Sequence, residues 1–171
     1  MMNIKTFWTR IWIWWLLALI LLLVDRFSKV WIEANLFFGE SIPVIPFFDI
    51  TLHYNSGAGF GFLAQAGGWQ RWFFSVVALV ATVGITWRLY KVSMHNKLES
   101  ISLTLILGGA IGNLYDRLAY GHVVDFLHFH WEAYPILGVT QFPVFNIADI
   151  AISLGLVVML IEGFWGQDRE K

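Results

Sequence analysis

Long apolar runs alternate with mixed segments along this chain. Four stretches, 11–32, 70–88, 101–118 and 147–165, are apolar over about the 20 residues a helix needs to cross a bilayer, and each predicts a transmembrane helix. Two mixed segments, 33–69 and 119–146, follow the first and third of these. The former holds Pro43, Pro46 and several glycines, and its residues 48–54 alternate like a strand; residues 122–130 do the same in the latter. The first run, with Lys5 and Arg10 ahead of it, also fits a signal peptide. Asp25 and Arg26 follow it in place of a small-residue cleavage site, so a retained helix is expected. No internal repeat or low-complexity segment is found, and 171 residues suggest a single domain, 1–171.

Composition supports a membrane protein. Hydrophobic residues make up 58% of the chain and charged residues 13%, about half the charge of a soluble domain. Trp8, Trp12, Trp14, Trp15, Trp69, Trp72, Trp87 and Trp165 lie near the ends of apolar runs, as interfacial aromatics do. A net charge of -1 without a basic run argues against nucleic acid. The lack of cysteine removes disulfides, thiolate nucleophiles and cysteine-based zinc sites. With both termini cytoplasmic, the inner side holds Lys5, Arg10, Arg88, Lys91, Lys97, Arg169 and Lys171, and the outer side Arg26, Lys29, Arg71 and Arg117. That excess inside predicts this orientation, with both mixed segments outside.

Ionisable and amide groups in or beside a span are costly and ask for a role. Asp25 and Lys29 stand four apart, on one helix face, either as an ion pair anchoring the helix end or as support for a site. Asn55, Gly57, Gly59 and Gly61 read either as a turn or as a backbone surface for an extended peptide. Gly108 and Gly112 form a G-x-x-x-G suited to close helix packing. Gly109, Asn113 and Arg117 recur every four residues as a polar stripe, on which Asn113 and Arg117 are candidate site residues. Asp125 sits among apolar residues on an expected strand. Asn146 can cap the fourth helix, which puts Asp149 in its first turn.

Asp125 and Asp149 fall at the same outer interface. Two carboxylates brought together repel, so one keeps its proton while the other ionises. The ionised one can deprotonate a water, and the protonated one can hydrogen-bond a substrate carbonyl. This is the chemistry of an aspartic protease, which needs no metal or other cofactor; taken singly, Asp125 also reads as a solvated loop aspartate and Asp149 as a helix-start acid. A metal site at His122, His128 and His130 is the competing mechanism, but no H-E-x-x-H is present.

Five motifs occur in order: Asp25-Arg26-x-x-Lys29, Asn55-x-Gly57-x-Gly59, Gly108-Gly109-x-x-Gly112-Asn113-x-x-Asp116-Arg117, Val124-Asp125-Phe126 and Phe145-Asn146-x-Ala148-Asp149. Together they resemble the bacterial lipoprotein signal peptidases (signal peptidase II), over almost the whole chain. The resemblance implies removal of signal peptides from diacylglyceryl-modified prolipoproteins, cut just before the lipidated cysteine. It implies Asp125 and Asp149 as catalytic, with support from Asp25, Lys29, Asn55, Gly57, Gly59, Gly108, Asn113, Arg117, Asn146 and Ala148. It further implies a four-transmembrane-helix bundle with a small extracytoplasmic β-cradle and a short extracytoplasmic helix, in the inner membrane. Membrane lipid and globomycin-like cyclic peptide inhibitors are the other implied partners. A non-enzymatic transporter or scaffold would also explain glycine-rich packing and intramembrane polar groups. It would not explain two aspartates at one face without a polar stripe reaching the other side.

Overall fold

The computed structural model of the chain describes residues 4–57, 67–93, 95–131 and 139–166. Its elements run α1 (Ile4–Asn35), β1 (Ser41–Ile45), β2 (Phe48–Asn55), α2 (Trp69–Val92), α3 (Lys97–Ala119), β3 (Val123–Phe129) and α4 (Ile147–Gly166). Among the described residues four helical stretches are long and apolar enough to cross a membrane: Ile11–Asn35, Trp69–Val92, Lys97–Ala119 and Ile147–Phe164.

The bundle buries an apolar cluster around Ile11, Leu89, Leu103 and Leu107, yet much of its surface is apolar and part of its interior is polar. Leu19, Leu23, Val80, Val83, Leu156 and Leu160 are exposed, whereas Asp25, Lys29, Asn113 and Asp116 are buried. Hydrocarbon solvates leucine and valine but not charges, so the polar groups turn inward and satisfy one another. α3 is the central helix, with buried residues from Ser100 to Arg117. Its glycines serve two neighbours. A Cβ on Gly108 would come 2.9 Å from Leu21 Cβ, and one on Gly112 2.7 Å from the Asp25 carboxylate, so both allow α1 to approach. A Cβ on Gly109 would strike the Ala148 carbonyl of α4. At the opposite end, Asn96 caps α3 through the Glu99 N–H at 3.0 Å and donates to Glu162 of α4 at 2.6 Å.

The three strands form one antiparallel sheet in the order β1-β2-β3. The strand expected at 48–54 is β2, and that at 122–130 is β3. β1 contains Pro43, which its place at the edge of the sheet accommodates. The sheet rests on the end of α1, where Ile32 and Leu36 pack with Leu52, Val124 and Phe126. Successive side chains of a strand point to opposite faces. Val124 and Phe126 therefore enter this cluster while Asp125, between them, turns the other way. The short helix expected in the outer loops is not among the described residues.

Candidate active site

Asp125 is almost fully buried, and Asp149 is partly buried in the first turn of α4. Both line one cavity of about 370 Å³, together with Asn55, Asn113 and Arg117. Its remaining wall is apolar apart from Ser153, with Val123, Phe142, Val144, Phe145, Ile150 and Leu154 among its residues.

Asn146 ties the two carboxyl groups together. Its Nδ2 donates to Asp125 Oδ1 at 2.6 Å, its backbone N–H donates to Asp149 Oδ2 at 3.2 Å, and its Oδ1 accepts from the Asp149 N–H at 2.9 Å. The last two form a reciprocal cap that satisfies the start of α4. Asn55 Nδ2 donates to Asp125 Oδ2 at 3.0 Å, and Asn113 Nδ2 to Asp149 Oδ1 at 2.8 Å. All four carboxyl oxygens thus receive a hydrogen bond. Burial, followed by the nearby Asp149 charge, pushes Asp125 up to about 7, against the lowering effect of Asn55 and Asn146. A carboxyl of that kind can carry a proton at neutral pH.

Arg117 donates through Nη2 to the Gly57 carbonyl at 2.8 Å and through Nη1 to the Asn113 carbonyl at 3.3 Å. Its guanidinium also lies 5.4 Å from the centre of the Phe74 ring. It therefore points into the protein and pins the end of β2 to α3. Gly57 in turn donates its N–H to Asn55 Oδ1 at 2.9 Å.

Asp25 and Lys29 stand behind the cavity. Lys29 Nζ lies 2.7 Å from Asp25 Oδ2, 2.8 Å from Asp116 Oδ2 and 3.1 Å from Asn113 Oδ1. Asp116 also pairs with Arg26, and Asp25 Oδ1 accepts the Ala148 N–H at 3.0 Å. Gly108 is a packing contact against α1 and does not line the cavity. Gly59 lies outside the described residues.

Asp116 and Arg26 stand in the motifs quoted above, but neither was a candidate site residue. Asp116 is fully buried, and its signal was its place three residues after Asn113, one helical turn along the same side. The aromatic wall had a signal too, the run Phe142-Pro143-Val144-Phe145 just ahead of Asn146. The histidines take other partners. His130 Nε2 lies 3.3 Å from Asp49 Oδ1, and His128 contacts Gln141 at 3.2 Å. Among the described residues no three histidine, aspartate or glutamate side chains gather as a metal-binding set.

A family model described as signal peptidase (SPase) II matches residues 17–165. The lipoprotein signal peptidase of Cellvibrio japonicus is 45% identical to this chain over 96% of it and 94% of the relative. That of Pseudoalteromonas translucida is 43% identical over 94% of this chain and 92% of its own. Among solved structures, a bacterial membrane enzyme determined by the in meso method superposes with a TM-score of 0.81 at 30% identity, covering 94% of this chain and 93% of that one.

Proposed function

The chain belongs to the signal peptidase II family, and from that premise we propose that it cleaves prolipoproteins with Asp125 and Asp149 as its catalytic pair. Membership makes it a peptidase, and its four spanning helices fit a multi-pass protein of the bacterial inner membrane. The observation that carries the aspartic mechanism is Asn146, which holds one carboxyl by its side chain and the other by its backbone, both on one cavity.

Asp149 is the ionised member. It sits in the first turn of α4, where the helix dipole favours negative charge, and both its oxygens accept N–H groups. Asp125 holds the proton. Asp149 takes a proton from water as the oxygen adds to the scissile carbonyl carbon. Asp125 meanwhile hydrogen-bonds and protonates the carbonyl oxygen. The tetrahedral intermediate returns that proton to Asp125 as its C–O double bond re-forms. The C–N bond breaks, and the leaving amine takes the proton held by Asp149.

The substrate is a diacylglyceryl-modified prolipoprotein, cut before its lipidated cysteine. Its acyl chains stay in the bilayer while the scissile bond reaches the cavity at the ends of the spans. The apolar wall formed by Ile150, Ile152 and Leu154 of α4 suits the signal helix or lipid that accompanies that bond. Both termini are cytoplasmic and the cavity faces outward, and globomycin-like cyclic peptides would bind in the cavity and compete at the same pair.

The test is Asp125→Asn and Asp149→Asn, each reconstituted with a diacylglyceryl precursor and followed by product release. Each variant is expected to lose at least ~10²-fold in rate while remaining folded, with a cooperative thermal transition. Wild-type cleavage by either variant removes that aspartate from the mechanism.

A further inference from the structure

Three amides face the two carboxyl groups, and each has two ends. Turned by half a circle, an amide presents oxygen where it now presents nitrogen. For two of them a backbone N–H settles the choice. Asn55 Oδ1 accepts from Gly57 N–H at 2.9 Å, which sends its nitrogen to Asp125. Asn146 Oδ1 accepts from Asp149 N–H at 2.9 Å, which likewise sends its nitrogen to Asp125.

Asn113 is set differently. Its Oδ1 faces Lys29 Nζ at 3.1 Å, and an ammonium only donates, so the amide must offer its oxygen on that side. Its nitrogen then falls on Asp149 Oδ1 at 2.8 Å. Asn146 Nδ2 also lies 3.2 Å from Asn113 Oδ1. However, it shares two protons among that oxygen, the Val124 carbonyl and the much closer Asp125 Oδ1.

We propose that Lys29 is a positioning residue for cleavage, holding the Asn113 amide with its nitrogen toward Asp149. The assignment rests on Asp149 being the general base. With the amide reversed, Asn113 would offer oxygen to oxygen, and Asp149 could meet it only by binding a proton and losing its basicity. Lys29 is fully buried and does not line the cavity. A buried ammonium on a span is costly unless paired. Asp25 and Asp116 pair it, and Arg26 takes the other oxygen of Asp116, so two positive and two negative groups balance. This balance fixes Lys29 Nζ between α1 and α3 and aims its third proton at Asn113.

The test replaces charge in balance, Lys29→Met with Asp25→Asn, in the full-length protein in lipid. With a diacylglyceryl precursor, kcat is expected to fall about tenfold to a hundredfold, a share of what general acid–base catalysis supplies, with KM little changed. The charged groups around the pair are Asp25 and Arg26 of α1, Asp116 and Arg117 of α3, Asp125 of β3 and Asp149 of α4. Lys29 lowers the Asp125 pKa through its charge, so the alkaline limb of the pH profile is expected to move upward. In an Asn113→Ala background the same pair of changes should cost little more, because the amide it acts through is gone. Wild-type kcat and pH profile, or multiplicative losses with Asn113→Ala, overturn the proposal. Solid-state NMR on the wild-type protein decides it even if the variants do not fold. Strong dipolar coupling between Asn113 Nδ2 and Asp149 Cγ is expected, and its absence refutes the amide orientation. The Asp125→Asn and Asp149→Asn variants, run alongside, separate the two ideas. If they cleave, the catalytic pair fails; if they are dead and the Lys29 variant cleaves normally, only the Lys29 assignment fails.

Discussion

Asn146 and Asp149 bond to each other twice, side chain to backbone in both directions, at 2.9 and 3.2 Å. The cap that starts α4 is therefore the same unit that aims the Asp149 carboxylate. Substitution at Asn146 can separate the two duties. Asn146→Ala loses the cap, at a cost of about 1 kcal/mol, and also the donor to Asp125. Asn146→Ser keeps a capping oxygen but is too short to replace the bond to Asp125 Oδ1. Thermal melts should place the serine variant near wild type and the alanine variant below it, with cleavage lost in both. A serine variant that cleaves within about twofold of wild type would mean that the bond to Asp125 is dispensable.

The raised pKa of Asp125 predicts two pH effects of opposite use. Cleavage should fall as pH rises through about 7, because Asp125 then loses the proton it gives to the substrate. Stability should fall over the window from the ordinary value of 3.8 up to about 7, where the folded protein binds more protons than the unfolded chain. Asp125→Asn removes that loss. It should therefore melt above wild type at pH 8, by up to on the order of 4 kcal/mol, with the gap closing toward pH 4. Parallel melting temperatures across this range would show that Asp125 does not titrate there.

Close helix packing gives a prediction independent of chemistry. A Cβ at Gly109 would meet the Ala148 carbonyl and come 2.8 Å from Ile152 Cγ1, whereas one at Gly84 meets nothing within 4 Å. Gly109→Ala should push α4 from α3, lower stability by about 1–3 kcal/mol and impair cleavage by moving Asp149 from Asn113. Gly84→Ala should be neutral or slightly stabilising, since alanine favours the helix. Equal melting temperatures for the two variants would refute the close approach.

The sequence made the spans readable because hydrocarbon demands long apolar runs, and it marked Asp125 and Asp149 because carboxylates there stand out. Asn146 was readable as a cap because its spacing to Asp149 is local. The Arg26, Asp25, Lys29 and Asp116 network was only half readable. Asp25 and Lys29 are neighbours on one helix, but their meeting with Asp116 depends on how α1 and α3 rotate against each other. β1 was hidden because its residues are exposed and Pro43 interrupts it. Gly108 carried a site expectation by resemblance, and its Cβ-less face meets α1. Amide orientation has no sequence signal at all, since it is set by the donors that tertiary contacts bring.

Replacing Arg117 by lysine separates a structural role of its guanidinium from headgroup binding. The side chain is 9% exposed, which leaves little surface for a phosphate headgroup. Its two terminal nitrogens reach different carbonyls, Gly57 O on the segment after β2 and Asn113 O on α3. A planar fork can hold both at once, and a single ammonium on a flexible stem cannot. The Gly57 bond also bears on Asn55, because Gly57 N–H sets the Asn55 amide that donates to Asp125. Arg117→Lys keeps the positive charge near both aspartates but loosens this chain of contacts. Cleavage is therefore expected to fall by about tenfold or more, through misplacement of Asp125 and its partners, with stability reduced by only about 1–2 kcal/mol. Arg117→Ala should be worse on both counts, since it also removes a positive charge beside the carboxylates. Headgroup binding makes the opposite forecast, because either cation reaches a phosphate. Full cleavage by Arg117→Lys in a precursor assay would favour that alternative and would sever the argued link from α3 through Gly57 to Asp125.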